Sequence, residues 1–338
     1  MSKKPFPVER DEHPFAQYVR ILGKGRRGSR SFTQEEARDS MGMILRGEAE
    51  DIQLGAYLML LRVKEESAEE LAGFVQAVKS AINVPEGLTT PDIDWSSYAG
   101  KRRHLPWFIL STLLLSQNNH KVYMHGASGH TIGRIYTESV LNYLGLPVVN
   151  SFEEASNELE KSGFCYQPLA SFCPKLHEII ELRNTLGLRS PVHSLARLIN
   201  PLNAPAVAQG IFHPGYNPVH QEAGKLLGYD RVSVIKGEGG EIERNPDSKV
   251  QVRSVIAGEL VEDEWPPLFD QRHVRPDELD IDLLPQLWQG KVSDEYAEMA
   301  VISTTAFAIR LKDYENKSIE QSIEEAKAMW IDRNKTLI

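Results

Sequence analysis

The sequence predicts an α/β protein: a small all-helical N-terminal domain followed by a larger α/β domain with a mostly parallel central sheet. Three observations carry that expectation. The first eighty or so residues place apolar side chains at helical spacing only, and Pro85–Pro91, with Gly87 and two threonines inside it, interrupts the pattern like a linker. From residue 95 onward, short apolar runs alternate with helical segments, which is the signature of a parallel sheet. At 338 residues, and roughly 150 per domain, the chain has room for two domains and a core that needs neither disulfides nor a structural metal.

The elements follow in order. Thr33 with Glu36 forms a capping box, after which Ala37, Met41, Ile44 and Leu45 recur at helical spacing until Gly47. Asp51 is placed to cap a second helix with Ile52, Tyr57, Leu58 and Leu61 on its apolar side. Ser67 with Glu70 opens a third, carrying Leu71, Phe74, Val75, Val78 and Ile82. Beyond the linker come an apolar helix over 107–117, a strand over Lys121–Met124, a helix over His130–Leu144 stopped by Gly145, and a short strand over Pro147–Val149. Ser151 and Glu154 box the next helix, Phe164–Gln167 reads as a strand, and Lys175–Leu186 as a helix up to Gly187. Strands are expected at Val207–Phe212, Arg231–Lys236 and Val250–Ala257, and helices near 217–228, 294–311 and 318–332.

Composition excludes several classes. Apolar residues make up 41% and charged residues 25%, as in ordinary globular domains rather than disordered or fibrous chains. The longest apolar stretch, Leu105–Leu115, is broken by Pro106, Ser111 and Thr112 and falls short of the ~18 residues of a membrane span. No apolar run follows the charged N-terminus MSKKPFPVERDEHP, so no secretory signal is read there and a cytoplasmic protein without membrane association is expected. Cys165 and Cys173 match neither a redox pair nor a zinc site. A net charge of −9 argues against a globally basic nucleic-acid binder. The charge is uneven, however: residues 1–30 carry eight basic and three acidic side chains, whereas Glu259–Asp282 carries nine acids against two arginines. A local anion site is compatible with that split.

In an open parallel sheet, ligands bind beyond the carboxyl ends of strands, so the loops after strands are the places to look. Three stand out. In Tyr98-Ala99-Gly100-Lys101-Arg102-Arg103-His104, a glycine and three cations precede a helix, a combination that favours an anion; a solvated basic loop is the plain alternative. In His125-Gly126-Ala127-Ser128-Gly129-His130, a glycine-bearing turn could cradle phosphate on its amides, although it lacks P-loop spacing. In Lys236-Gly237-Glu238-Gly239-Gly240-Glu241-Ile242-Glu243, acids on a glycine-rich turn could hold Mg²⁺, or simply decorate a surface hairpin.

Together these pieces resemble the anthranilate phosphoribosyltransferase family, glycosyltransferase family 3. The likeness runs from about Tyr18 to the C-terminal helix and is most specific in Phe32–Ala72, Leu186–Ala204 (LGLRSPVHSLARLINPLNA) and Ile211–Gly228 (IFHPGYNPVHQEAGKLLG). The resemblance implies a nucleoside phosphorylase/phosphoribosyltransferase-type fold, with a helical, dimer-forming domain from residues 1–84 and 170–200. Residues 85–169 and 201–338 would then form the α/β domain. It also implies a homodimer, and enzymes that bind phosphoribosyl pyrophosphate and Mg²⁺ between the domains.

Measured against that family, the active-site motifs here are degraded. The pyrophosphate loop GTGGD aligns with Tyr98-Ala99-Gly100-Lys101-Arg102, and KHGNR survives only as Met124-His125-Gly126-Ala127-Ser128. The metal-binding Asp-Glu pair becomes Ile242-Glu243, leaving Glu243 as a metal candidate that Glu238 or Glu241 would have to assist. Arg189 keeps the position of the arginine that contacts anthranilate, and His193 stands where the family usually has asparagine. The losses resemble the divergent YbiB-type branch, which is associated with nucleic-acid binding. Two functions follow from the resemblance. One is a phosphate-bearing ligand held in the interdomain cleft by Gly100, Lys101, Arg102, Arg103, His125, Gly126, Arg189 and His193, with anthranilate activity lost. The other is non-enzymatic binding of single-stranded DNA or RNA through Lys24, Arg26, Arg27, Arg30, Lys101, Arg102 and Arg103.

Overall fold

The computed structural model describes residues 11–25 and 27–338; Arg26 and the first ten residues, with Lys3, Lys4 and Arg10, lie outside them. Four helices come first: α1 (Ala16–Gly23), α2 (Gln34–Leu45), α3 (Asp51–Lys64) and α4 (Ala68–Ala81). Two of the three expected capping boxes form, Thr33 with Glu36 on α2 and Ser67 with Glu70 on α4; at the third, Ser151 accepts from the Glu154 amide, but the Glu154 carboxylate takes the Asn150 amide instead of the Ser151 amide. On α3 the cap lies one residue earlier than expected, where Glu50 and Gln53 make the reciprocal bonds and Asp51 is already helical.

The α/β part contains β1 (Ile93–Ser97), α5 (Phe108–Gln117), β2 (Val122–Gly126), α6 (Thr137–Leu144), α7 (Phe152–Ser162) and β3 (Phe164–Pro168). A helical excursion follows: α8 (Leu169–Phe172), α9 (Pro174–Glu181), α10 (Arg183–Leu186) and α11 (Val192–Leu195). The chain then returns through β4 (Ala206–Ile211), α12 (Asn217–Leu226), β5 (Arg231–Lys236), β6 (Val250–Ile256) and β7 (Glu259–Trp265). It ends in α13 (Leu283–Gln289), α14 (Glu295–Lys312) and α15 (Ile319–Ile331).

The seven strands form one sheet in the order β3-β2-β1-β4-β5-β6-β7. The first five are parallel, and β6 and β7 add antiparallel strands at one edge. Alternation along the strands loads both faces. Ile93, Trp95, Val122 and Met124 enter the core made with α5, α14 and α15, while Tyr123 and Cys165 face the core shared by α7, the N-terminal helices and α9–α11. Helix α5 is buried from Phe108 to Leu115, which explains its unbroken apolar sequence.

Two expectations are corrected, and β7 and α13 are among the elements the sequence analysis does not anticipate. The helix expected over His130–Leu144 begins only at Thr137, because residues 129–135 include Gly129 and Gly133 at positive φ and because Ile135 instead pairs its backbone with Lys101. Pro147–Val149 contributes one bridge, Val148 with Tyr166, rather than a strand. Strand β7, whose acidic residues mask its alternation in the sequence, pairs with β6 through a two-residue turn at Ala257-Gly258 with φ of 50° and 81°, a turn that suits a hairpin's twist. Helix α13 lies in a stretch for which no helix is expected from the sequence.

Candidate functional site

From β1 the chain steps outward to β2 and β3, then crosses back to place β4 on the other side of β1. Such a reversal opens a crevice beyond the carboxyl ends of the two diverging strands. The loops after β1 and β4 border it, together with the glycine-rich turn after β5.

The acidic turn after β5 closes on the basic loop after β1. Glu241, fully buried, accepts from the amides of Ala99 and Gly100 through one oxygen, both at 2.6 Å, and from the Ser97 hydroxyl through the other at 2.8 Å. Glu238 accepts from the Arg102 amide at 3.0 Å and the Arg103 amide at 2.5 Å, and holds His104 Nδ1 at 2.9 Å. Glu243 accepts from Lys101 Nζ at 2.5 Å through Oε1 and from the Phe108 amide at 3.0 Å through Oε2, so it also caps the start of α5. Lys101 also reaches Glu238 at 3.2 Å. Burial works against the Lys101 ammonium, but the two carboxylates outweigh it and hold its pKa above that of a free lysine. Burial likewise opposes ionisation of Glu238, yet His104, Lys101 and the two amides bring its pKa down to about 2. Gly100 has the positive φ, 68°, that lets its amide and that of Ala99 converge on one oxygen.

Two cavities adjoin this clasp and share Phe212 and His213. The larger, about 750 Å³, is walled by Lys101, Arg103, Lys236, Asp247, Arg272 and Arg275, among others, all of them in the α/β part. The smaller, about 130 Å³, lies between the parts: Arg62 and Glu66 come from the N-terminal helices, Arg189, His193 and Arg197 from the helical excursion, and Tyr216 and His220 from the stretch after β4.

The sequence candidates therefore separate. Lys101 and Arg103 line the larger cavity and Arg189 and His193 the smaller, whereas Arg102 is exposed and lines neither. His125 and Gly126 end β2 inside the core. The His125 ring takes the Tyr98 hydroxyl on Nδ1 at 2.6 Å and meets Asp94 through Nε2 at 3.2 Å, and neither His125 nor Gly126 lines either of these two cavities. A Cβ at Gly126 would lie 1.9 Å from the Ser97 carbonyl, which accounts for that glycine by packing. Lys24 and Arg27 are exposed, Arg30 is held by Glu36 at 2.6 Å, and none of the three lines either cavity; Arg26 lies outside the described residues.

The smaller cavity is electrostatically unlike the clasp. Arg134, Arg183, Arg189 and Arg197 lie close enough for the other three to depress Arg189, whose pKa falls to about 10 chiefly through burial. Their hydrogen bonds go to neutral oxygens: Arg134 to the Ala99 carbonyl at 2.8 Å, Arg197 to the Gly240 carbonyl at 2.6 Å, Arg183 to the His130 carbonyl, and Arg189 only to the Thr131 hydroxyl at 3.4 Å. His193 donates Nδ1–H to the Ser190 carbonyl at 3.2 Å, which leaves Nε2 as a buried acceptor with no partner among the described residues; the Ser190 hydroxyl is likewise unpartnered. Burial and the neighbouring cations keep His193 neutral. Sequence reasoning finds Arg189 and His193 but misses Arg134, Arg183 and Arg197, which carry no local motif. It marks Arg272 and Arg275 only as the two bases of an acidic stretch.

Comparison with known proteins agrees with this architecture. Residues 18–81 match the helical bundle domain of the glycosyl transferase family. Anthranilate phosphoribosyltransferase of Ignicoccus hospitalis is 30% identical over 69% of this chain and 68% of its own length. The chain belongs to the anthranilate phosphoribosyltransferase family. An uncharacterized protein of Aquifex aeolicus is also 30% identical, over 65% of this chain and 67% of that protein, and the uncharacterized protein YbiB of Escherichia coli is 26% identical over 71% and 76%. Among solved structures, the anthranilate phosphoribosyltransferase of Thermus thermophilus superposes with a TM-score of 0.76 at 20% identity, covering 94% of each chain. The Saccharomyces cerevisiae enzyme in complex with PRPP and Mg gives 0.75 at 15%, covering 95% of this chain and 94% of that one.

The residues here do not fit the Mg²⁺ of that family. Ile242 is buried and apolar, both oxygens of Glu243 are taken by Lys101 and Phe108, and Glu238 and Glu241 are bound to the basic loop. Among the described residues, no group of three or more His, Cys, Asp or Glu side chains is arranged to hold a metal ion. No described helix is long and apolar enough to cross a membrane.

Proposed function

We propose that this family member binds a phosphate-bearing ligand beside the clasp and has lost phosphoribosyl transfer to anthranilate. The observation that carries this is the occupation of the Ala99 and Gly100 amides by Glu241. Those amides align with the family's pyrophosphate loop, and here a fixed carboxylate takes the place an anionic leaving group would need. Transfer requires preorganised donors for the departing pyrophosphate, and removing even one such donor typically costs ~10²-fold in rate. The cations that remain available, Arg103 at the larger cavity and Arg189 at the smaller, support anion binding without that chemistry. The test is direct: with phosphoribosyl pyrophosphate, anthranilate and Mg²⁺, the purified protein is expected to consume no anthranilate above the uncatalysed background. Sustained turnover would refute the loss. Assembly as a homodimer through the helical part belongs to the same proposal, and light scattering in solution tests it.

Single-stranded DNA or RNA is the alternative ligand, favoured by Lys24, Arg27 and Arg102, which are exposed and form no ion pair among the described residues. Affinity for a labelled oligonucleotide would then fall with salt at a log–log slope of about −0.7 per phosphate neutralised. A flat salt response excludes it.

A further inference from the structure

The larger cavity is a cationic enclave in an acidic protein. Six Lys and Arg side chains line it (Lys101, Arg103, Lys236, Lys249, Arg272 and Arg275) against four carboxylates. Every one of those carboxylates is already held: Glu238 and Glu243 by Lys101, Asp247 by His273 at 2.7 Å, and Glu264 by Lys249 at 3.1 Å. Arg103, Lys236, Arg272 and Arg275 form no ion pair among the described residues. They come from three separate places: the loop after β1, the last residue of β5, and the segment between β7 and α13.

That last segment is a fixed wall. His273 donates its backbone N–H and its Nδ1–H to the two oxygens of Asp247 at 2.9 and 2.7 Å, and its ring meets Tyr296 edge-on at 5.7 Å. Leu268 donates to the Pro246 carbonyl at 2.8 Å, and Arg244 holds the Pro266 carbonyl. Pinned at His273, the chain sets Arg272 on one side of the anchor and Arg275 on the other. The nearby acids Glu278 and Asp280 line a neighbouring cavity of about 200 Å³ instead. Four like charges converging on one space repel each other, and an anion with several charges relieves that repulsion better than a single phosphate. Among the described residues, no group of three or more His, Cys, Asp or Glu side chains is arranged here to hold a divalent cation.

We propose that this cavity binds a linear polyphosphate chain, free or as the phosphates of a nucleoside triphosphate, through Arg103, Lys236, Arg272 and Arg275 and without a metal ion. The proposal rests on the phosphate-binding function above and names its ligand class and its residues. The test is calorimetric titration of the full chain with sodium tripolyphosphate in EDTA, then with ATP, then with each in excess Mg²⁺. Binding is expected in EDTA and is expected to weaken with Mg²⁺, which competes for the phosphates. Arg272→Ala should weaken it about tenfold, equivalent to about 1.4 kcal/mol, and the doubly substituted Arg272→Glu/Arg275→Glu protein about a hundredfold, with one charge-assisted hydrogen bond lost at each position. Circular dichroism checks that this variant, altered only at exposed positions, stays folded. Equal affinity for ATP and tripolyphosphate assigns recognition to the phosphate chain, and clearly tighter ATP binding assigns it to a nucleotide. A requirement for Mg²⁺, or undiminished binding by the folded double variant, overturns the proposal. If Arg189→Ala abolishes phosphate binding while the double variant retains it, the general phosphate function survives and this site does not. If no phosphate compound binds the wild-type chain, both fall.

Discussion

The clasp and the arginine pocket lie side by side at the switch point of the sheet, yet they treat charge in opposite ways. In the clasp, Lys101 has two carboxylates within 3.2 Å, and Glu241 satisfies two amides and a hydroxyl. At the pocket, Arg189 and Arg197 line the cavity with Arg134 and Arg183 close behind them, and the hydrogen bonds of all four go to neutral oxygens. A fold that neutralises Lys101 so completely in one place leaves Arg189 in the other without a carboxylate partner. On the proposed function, the clasp is internal structure made from a former ligand loop, and the arginine pocket keeps its charge for an anion.

The largest effect should come from breaking the clasp. Glu243→Ala leaves Lys101 buried with only Glu238 and strips the cap from α5; a loss of about 3–5 kcal/mol is expected. The paired change Lys101→Met with Glu243→Leu removes both charges and should cost far less. Urea denaturation of the three proteins checks this, and equal losses in the single and double variants would show that the pair does not act as a unit.

Acidification comes next and probes the pocket. His130 and His220 have pKa values pushed down to about 4 and about 3, first by burial and then by neighbouring arginines. A histidine with a depressed folded pKa stabilises the fold fully above about pH 6.5 and loses that contribution as pH falls toward the folded value. Glu66 acts in the opposite direction: burial raises its pKa to about 7, so its contribution grows on acidification through the same range. At about 1.4 kcal/mol per pH unit and group, these two histidines, joined by His193, which is held neutral in the same way, outweigh the one carboxyl and predict a net loss on the order of a few kcal/mol between about pH 7 and about pH 4.5. Glu66→Gln should steepen that loss. Denaturation midpoints across the range measure both, and a pH-independent midpoint would mean that these rings are not held neutral. A smaller effect is expected from Glu241→Gln, about 1–2 kcal/mol, because the amide oxygen still accepts from Ala99 or Gly100 but without its charge.

What can be read in the sequence follows the same division. Local signals suffice for most elements: the capping boxes at Thr33 and Ser67, the stops at Gly145 and Gly187, and the strand at Arg231–Lys236 depend on residues within a few positions of one another. They fail where distant backbone intervenes, as when Ile135 is drawn to Lys101 instead of extending α6. The hairpin at Ala257-Gly258 carries a usable signal, a glycine between two alternating runs, that the acids of β7 conceal. For the site, the sequence marks both halves of the clasp as chemically unusual loops. It cannot show that they answer each other, because Lys101 and Glu243 are far apart in the chain and charge complementarity leaves no local pattern. Of the arginine pocket, the sequence marks only Arg189 and His193; Arg197 in its wall, and Arg134 and Arg183 beside it, carry no local pattern.

The finest test of the contrast is one in which stability and binding should move apart. Arg189 is half-buried beside three other guanidinium groups, and its one hydrogen bond, to Thr131 at 3.4 Å, is long. Such a residue contributes little to folding and repels its neighbours. Arg189→Met, which fills similar volume without charge, is expected to leave stability within about 1 kcal/mol of wild type, on the stabilising side, because functional positions are often held at a cost to the fold. If the pocket serves an anion, the same substitution should weaken phosphate binding measured by titration. A clear loss of stability would mean that Arg189 is structurally satisfied in a way its geometry does not provide, and the distinction between the two regions would disappear.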